Sequence, residues 1–245
     1  MSVQIATMDF DDVPGASTER MPRAARAHGW GAVFALTLCV ATLIASEFMP
    51  VSLLTPIAGD LRMTEGRAGQ AIVVSGIFAV PTSLGISPAT RGIDRRRVLL
   101  WLAVLMLASG AMVALAPNAA VFMAGRALLG VVIGGFWSMS AATVMRLVPE
   151  PDVPRALGLL NGGNALATTV AAPLGSFLGQ YVGWRGAFFA VVPLAALTLG
   201  WLWASLPPMP SSRGAGGGNV FRVLRRRQVP LGMAAVTLFF LGQFA

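Results

Sequence analysis

Six long apolar stretches constrain this sequence more than any of its other features. They occupy residues 31–57, 69–90, 97–116, 119–147, 156–180 and 186–206. Each is long enough to cross a hydrocarbon core of about 30 Å, which takes about 20 helical residues. Apolar runs of this length without period-two alternation exclude the strands of a membrane barrel. The sequence therefore predicts an all-α membrane protein with six spans.

The composition agrees with a chain that is surrounded mostly by lipid. Charged residues make up only 11% of the chain, against about 25% in a soluble domain. Together with 56% hydrophobic residues, this composition excludes a soluble enzyme, a disordered chain and a collagen-like fibre. All 18 basic residues are arginine, and the net charge of +8 would suggest nucleic-acid binding in a soluble protein. In a membrane protein these arginines must first be assigned to the two sides of the bilayer.

The distribution of arginines between the loops predicts the orientation, because cytoplasmic loops carry the excess of positive charge. With the N-terminus in the cytoplasm, fourteen arginines lie inside and three lie outside, and the remaining one, Arg126, lies within a span. Loops 91–97 and 207–228 are then cytoplasmic, whereas 58–68 and 181–185 face outward. The basic charge is thereby interpreted as a topology signal, and no nucleic-acid partner is expected.

The polar segments predict four parts of the chain. Residues 1–28 form a disordered cytoplasmic tail, and 29–206 form the six-helix transmembrane bundle. Residues 207–228, rich in Pro, Gly, Ser and Arg, form a basic cytoplasmic linker. An apolar run over 229–245 is expected to be the start of a seventh helix.

Two ionisable residues lie inside spans, Glu47 in the first and Arg126 in the fourth. A charge at the centre of a span costs about 2.5–3.5 kcal/mol or more, and such residues usually mark a transport pathway. At 1.5 Å per residue, Glu47 lies roughly 15 Å and Arg126 roughly 10 Å from the outer end of its span. These depths predict an ion pair, either direct or bridged by water. Two interpretations stay open: a proton-coupling pair, or a structural pair that holds the two helices together.

Proline and glycine predict where the helices bend and where they approach each other closely. Pro50 lies three residues after Glu47 and removes a backbone donor, which predicts a kink. Small residues at four-residue spacing allow close helix packing, and the residues expected to serve bending and packing are Pro50, Gly130, Gly134, Pro173 and Gly175.

Polar side chains in the fourth and fifth spans are the candidates for substrate binding. Asn161, Asn164 and Thr168 share one helix face, and Trp137 lies too deep for an interfacial aromatic belt. A polar stripe cannot face lipid without unmet hydrogen bonds, so it faces either another helix or a water-filled cavity. Trp137 either packs in the bundle or offers a stacking surface to a planar substrate.

No sequence pattern indicates enzyme chemistry. There is no metal-ligand cluster, no phosphate-binding glycine loop and no nucleophile–base–acid set, and the one histidine, His28, lies in the tail. No catalytic residue, metal or cofactor is expected.

Several of these motifs resemble those of the major facilitator superfamily. The Arg126–x3–Gly130 pattern is similar to its fourth-helix motif, whose arginine is associated with proton coupling. Pro173-Leu-Gly175, followed by Gly183-Trp184-Arg185, resembles the fifth-helix antiporter motif and the loop after it. The segment from Glu47 to Asp60 is similar to the drug:proton antiporter subgroup, which exports sugars, nucleosides and drugs, and within it to the bacterial purine ribonucleoside efflux pumps.

The resemblance implies that residues 91–96 form the cytoplasmic gating loop, with departures from the family pattern. The positions of the family's loop motif are occupied here by Ser87, Arg91, Gly92, Asp94, Arg95 and Arg96. The acidic gating residue is missing from its usual place, and Asp94 is the nearest substitute. Ala172 stands where a glycine usually precedes the proline of the fifth-helix motif.

The resemblance further implies a secondary active efflux transporter of the bacterial inner membrane. It exchanges protons for a small polar solute, with purine ribonucleosides as the specific expectation. Glu47 would carry the proton, Arg126 would bias its protonation, and the polar residues would contact the substrate. The expected fold is the six-helix N-terminal half of the superfamily, and its C-terminal six-helix half is missing. Export of sugars or drugs, and a six-span fragment that does not transport, remain alternatives.

Overall fold

The computed structural model describes residues 23–210 and, further along, residues 231, 232, 234, 235 and 238, with side chains from Gly29 onward. Every regular element in these ranges is helical. The predicted tail up to residue 22, the linker over 211–228 and most of the predicted seventh helix lie outside the described residues. In chain order, the helices are α1 (Arg23–Phe48), a 3-10 helix (Met49–Leu53), the short α2 (Leu54–Asp60), α3 (Glu65–Ala89), α4 (Arg95–Ala114), α5 (Ala119–Leu147), a 3-10 helix (Glu150–Asp152) and α6 (Val153–Ser205).

The described helices confirm an all-α protein with membrane-length helices. Five stretches are long and apolar enough to cross a membrane, and the last of them has 56 residues. That stretch holds the two spans predicted at 156–180 and 186–206, which Gly183 separates. Gly183 has φ 70° and ψ 169°, a conformation that glycine adopts without the steric cost of a Cβ atom. The first predicted span comprises most of α1, the 3-10 helix over Met49–Leu53 and the first part of α2.

Both ends of the predicted bundle extend further than the sequence patterns indicated. The first helix begins at Arg23, inside the range assigned to the tail, where arginine and alanine are good helix formers. After α6, Met209 is buried against the bundle rather than lying in a free linker. The packed unit therefore reaches past residue 206.

Three of the long helices begin at side-chain caps that the sequence supplies. Thr64 accepts a hydrogen bond from the Arg67 amide before α3, and Asp94 accepts one from the Arg96 amide before α4. Asn118 accepts one from the Val121 amide before α5. Residues of this type satisfy amide groups that have no partner inside the first turn.

A layer of polar residues divides the core of the bundle into two hydrophobic clusters. One cluster contains Ile44 and Met106, and the other contains Met49 and Val113. The residues that lie between the clusters along their own helices are Glu47 in α1, Ser109 in α4 and Arg126 in α5. The candidate site is in this layer.

Candidate functional site

Arg126 is fully buried in the middle of the bundle. Its Nη1 donates to the Ser46 carbonyl at 2.8 Å, and its Nε donates to the Ala71 carbonyl at 3.3 Å. Its Nη2 donates to the Glu47 carbonyl at 3.3 Å and to Glu47 Oε2 at 2.7 Å. A guanidinium away from water needs such a set of acceptors, and three of those four acceptors belong to the main chain.

Pro50 explains why the Ser46 carbonyl is available to Arg126. In a continuous α-helix that oxygen would accept from the amide of residue 50, and proline has no amide hydrogen. The structure ends α1 at Phe48 and continues with a 3-10 helix that carries Pro50 in its first turn. The α-helix is therefore interrupted at Pro50, and the interruption frees the carbonyl that Arg126 binds.

Both carboxylate oxygens of Glu47 are hydrogen-bonded. Oε2 pairs with Arg126, as the depth estimate predicted, and Oε1 accepts from the Ser75 hydroxyl at 2.6 Å. The Glu47 side chain retains 13% exposure, whereas that of Arg126 has 0%. The carboxylate thus reaches the surface of the described helices, whereas the guanidinium lies wholly inside them.

Two glycines of α5 bring α3 close enough for Ser75 to reach Glu47. A Cβ atom at Gly130 would collide with the Ser75 carbonyl oxygen, and one at Gly134 would collide with that of Ala79. The two helices therefore pack backbone to backbone at Gly130 and Gly134.

The residues predicted for the fifth span meet the break in the first span. A Cβ atom at Gly175 would lie 2.8 Å from Ser52 Oγ and 2.9 Å from Met49 Cγ, so α6 packs on the 3-10 helix here. Pro173 lies inside α6, two residues before Gly175. Gly183 does not continue this packing face, because no atom lies within 4 Å of its Cβ position.

The candidate substrate residues do not contact the Glu47–Arg126 pair. Asn161 and Thr168 are exposed, and Asn164 is half-buried. Asn161 and Thr168 donate to carbonyls of their own helix, at Leu157 and Asn164. None of the three is hydrogen-bonded to another helix among the described residues, so the stripe does not join helices there. Trp137 packs partly buried against the hydrophobic cluster that contains Ile44.

The candidate gating loop is attached to the segment that follows α6. Asp94 Oδ1 accepts from the Met209 amide at 3.0 Å, besides capping α4. The Arg95 amide donates to the Met209 carbonyl at 3.3 Å, and Arg96 Nη2 donates to the Trp203 carbonyl at 2.7 Å. Arg91 is exposed. The Asp94 carboxylate is thus hydrogen-bonded to the backbone amides of Arg96 and Met209.

A cluster at the opposite end of the bundle was not anticipated. Asp60 accepts from the Trp184 indole at 3.0 Å and forms an ion pair with Arg185. Arg185 also donates to the Ala116 carbonyl at 2.8 Å and lies 4.4 Å from the centre of the Trp184 ring. The cluster joins α2 to α6 and to the connection between α4 and α5. Asp60 and Trp184-Arg185 were visible only as parts of family motifs, with no signal that they pair.

The chemistry that this site offers is acid–base chemistry on the Glu47 carboxylate. Within the described ranges, no group of three or more His, Cys, Asp or Glu side chains is placed to hold a metal ion. The arrangement places this carboxylate between a buried guanidinium and a hydroxyl.

The comparison with protein families matches residues 34–245 to the model of the Major Facilitator Superfamily. The chain is 60% identical over 220 residues to the "Transcription regulatory protein OpdE" of Pseudomonas aeruginosa, covering 88% of this chain and 55% of that protein. It is 45% identical over 216 residues to the "Purine ribonucleoside efflux pump NepI" of Escherichia coli K12, covering 88% and 54%. The chain thus spans about half the length of these curated relatives.

Two solved structures share the fold at low sequence identity. A bacterial homologue of the human lysosomal transporter Spinster, inward-facing and unoccupied, gives a TM-score of 0.68 at 15% identity, covering 81% of this chain and 46% of that one. The transporter PepTSo gives 0.62 at 14% identity, covering 74% and 39%. These matches concern the fold alone.

Proposed function

The chain belongs to the Major Facilitator Superfamily, and on that premise we propose that it acts in the proton-coupled export of a small polar solute. The observation that carries the proposal is the Glu47 carboxylate, paired with buried Arg126 at 2.7 Å yet 13% exposed. A carboxylate that lies between a fixed positive charge and a partly exposed surface is suited to carry a proton in such a cycle.

In the proposed cycle, Glu47 takes a proton from one side of the membrane and releases it to the other. Protonation leaves the Arg126 charge uncompensated, although the three main-chain acceptors still hold the guanidinium. The resulting change in charge at the polar layer favours a different arrangement of the surrounding helices. Substrate crosses the membrane in the opposite direction to the proton, as the helices return to their first arrangement.

We propose purine ribonucleosides as the substrate, with contacts from Trp137, Asn161, Asn164 and Thr168. The support is the name of the relative NepI and the character of these side chains. The amides and the hydroxyl offer donors and acceptors to a ribose or a base, and the indole offers a stacking surface. Exposed and half-buried positions on α6 suit a face that lines a cavity.

Because the curated relatives are about twice as long, we propose that residues 1–245 work with a second six-helix half. Rocking of two halves around a site between them is a common form of alternating access. Residues 1–245 together with such a C-terminal half are called the two-half transporter, and transport is to be measured on this pair. Residues 91–96 are proposed to gate its cytoplasmic side.

Substrate-driven proton movement tests this function directly. In inverted vesicles that contain the two-half transporter, addition of inosine or guanosine is expected to dissipate an imposed pH gradient. Sugars and hydrophobic drugs are expected to be ineffective. If sugars or drugs dissipate the gradient and nucleosides do not, the scaffold exports the alternative substrates. If no solute has an effect, the chain is not part of a proton-coupled exporter.

We further propose that the protein lies in the bacterial inner membrane with the N-terminus in the cytoplasm, on the basis of the arginine distribution. Cys39, the single cysteine, is buried. A cysteine introduced at Arg62 is expected to react with a membrane-impermeant maleimide in intact cells. One introduced at Arg91 is expected to react only after the membrane is permeabilised. The reverse pattern would contradict the proposed orientation.

A further inference from the structure

Ser75 of α3 is a fully buried hydroxyl at the Glu47–Arg126 pair. Its Oγ lies 2.6 Å from Glu47 Oε1 and 2.8 Å from the Ile72 carbonyl oxygen. It also lies 3.5 Å from Arg126 Nη2. A serine hydroxyl has one hydrogen to donate and two lone pairs with which to accept. Ser75 can therefore donate to only one of its two acceptors at a time.

We propose that Ser75 is a positioning residue whose hydroxyl changes its acceptor when Glu47 changes protonation; the proposal rests on the proposed role of Glu47. When Glu47 is ionised, Ser75 donates to Oε1. When Oε1 takes a proton from the solvent, the new carboxyl O–H donates to Ser75 Oγ, and the Ser75 hydrogen turns to the Ile72 carbonyl. One proton enters the site, none leaves it, and every polar group keeps a partner.

The position of Ser75 is fixed by main-chain packing rather than by its side chain. Its carbonyl oxygen is packed against Gly130 of α5, so α3 cannot move closer to α5. The side chain is therefore held at the distance at which both acceptors are within reach. Turning the hydroxyl requires only rotation about the bond between Cβ and Oγ.

The groups that face Glu47 are few. From α5 it meets the charge of Arg126, and from α3 it meets the uncharged Ser75 hydroxyl. Among the described residues, no second acidic or basic side chain is paired with either member of the Glu47–Arg126 couple. Among the described residues, Ser75 thus supplies the uncharged contact of the carboxylate, and its hydroxyl hydrogen can turn to another acceptor.

Removal of the hydroxyl is expected to affect the ionised state more than the protonated state. A hydrogen bond to a carboxylate is about twice as strong as one between neutral groups. Without Ser75 Oγ, Glu47 is expected to take up its proton at a higher pH. A residue with a merely structural role would change protein abundance and leave the pH dependence unchanged.

The experiment follows protonation of Glu47 in residues 1–245 in membranes, without requiring transport. Dicyclohexylcarbodiimide reacts with protonated carboxyl groups, and peptide mass spectrometry measures the modified fraction at Glu47 as a function of pH. We expect Ser75→Ala to raise the midpoint of labelling by about one pH unit. Ser75→Thr, which retains the hydroxyl, is expected to restore it.

Ser83→Ala is the matched control. Ser83 lies on the same helix and donates to the Val80 carbonyl at 2.8 Å, three residues back, as Ser75 does to Ile72. Its backbone also packs against a glycine of α5, Gly134. It has no contact with Glu47, so the labelling midpoint is expected to stay at the wild-type value.

A Ser75→Ala midpoint equal to that of Ser83→Ala would overturn the proposal. If Ser75→Ala does not accumulate in the membrane, Ser75→Cys replaces it. Because S–H is a weak donor, the labelling midpoint is expected to rise by less than in Ser75→Ala. An unchanged midpoint in Ser75→Cys would again overturn the proposal. Failure of the proposed function gives a different result, because the Ser75 effect on labelling would persist while pH-gradient-driven export was absent.

Discussion

Glu47→Gln is expected to reduce pH-gradient-driven export by the two-half transporter to background, a loss of about 100-fold or more. Glutamine has nearly the size of glutamate, and its carbonyl oxygen can accept from either Arg126 or Ser75, but it cannot carry a proton. Arg126 keeps its three main-chain acceptors at Ser46, Ala71 and residue 47 itself. The variant is therefore expected to fold and to insert at an abundance close to wild type.

The measurement combines export with abundance in the same membranes. Glu65→Gln is the matched control, because Glu65 is an exposed glutamate that binds the Thr55 hydroxyl at 2.7 Å away from the polar layer. It is expected to export normally. Normal pH-driven export by an abundant Glu47→Gln protein would exclude the proton-carrier role. Loss of abundance with unchanged export per molecule would favour the structural interpretation of the pair.

Gly130→Ala is expected to destabilise the bundle by about 1–3 kcal/mol, the usual cost of overpacking. The added methyl group would overlap the Ser75 carbonyl oxygen and would lie 2.9 Å from both the carbonyl carbon and the Cα atom of Ser75. Main-chain atoms cannot rotate away as a side chain can, so α3 must shift as a unit. Such a shift draws Ser75 away from Glu47, and export is expected to fall together with stability.

Thermal unfolding of residues 1–245 in detergent measures the effect, with Gly200→Ala as the control. Gly200 lies in α6 with no atom within 4 Å of its Cβ position. Alanine is there expected to be neutral or stabilising by up to about 1 kcal/mol, because alanine is the better helix former. Equal melting temperatures for the two variants would show that the close contact between α3 and α5 is dispensable.

The spans and the central ion pair could be predicted because each leaves a large signal in the sequence. Lipid requires about 20 apolar residues for each crossing, and a charge within such a run stands out. The regular rise of a helix then converts sequence position into depth, which placed Glu47 and Arg126 at similar levels. Glycines at four-residue spacing likewise indicated the close contacts at Gly130 and Gly134.

Other parts of the site depend on information that residue type does not carry. Ser75 is one of several serines in apolar spans, and only the packing of α3 on α5 distinguishes it. The pairing of Asp60 with Arg185 joins residues far apart in sequence through the arrangement of chain connections. The sequence left two alternatives for the polar face of α6: it faces either another helix or a water-filled cavity. Asn161 and Thr168 donate to carbonyls of their own helix, which disfavours a role in joining helices.

The main-chain acceptors of Arg126 have a consequence for how this site tolerates variation. An oxygen of the backbone is present whatever side chain is attached to it, so positions 46 and 71 can change residue type during divergence while the guanidinium keeps its ligands. The carboxylate at position 47, the proline at 50 and the glycine at 130 have no such freedom. A comparison of side chains alone would therefore record only part of a binding site that the chain builds largely from its peptide groups.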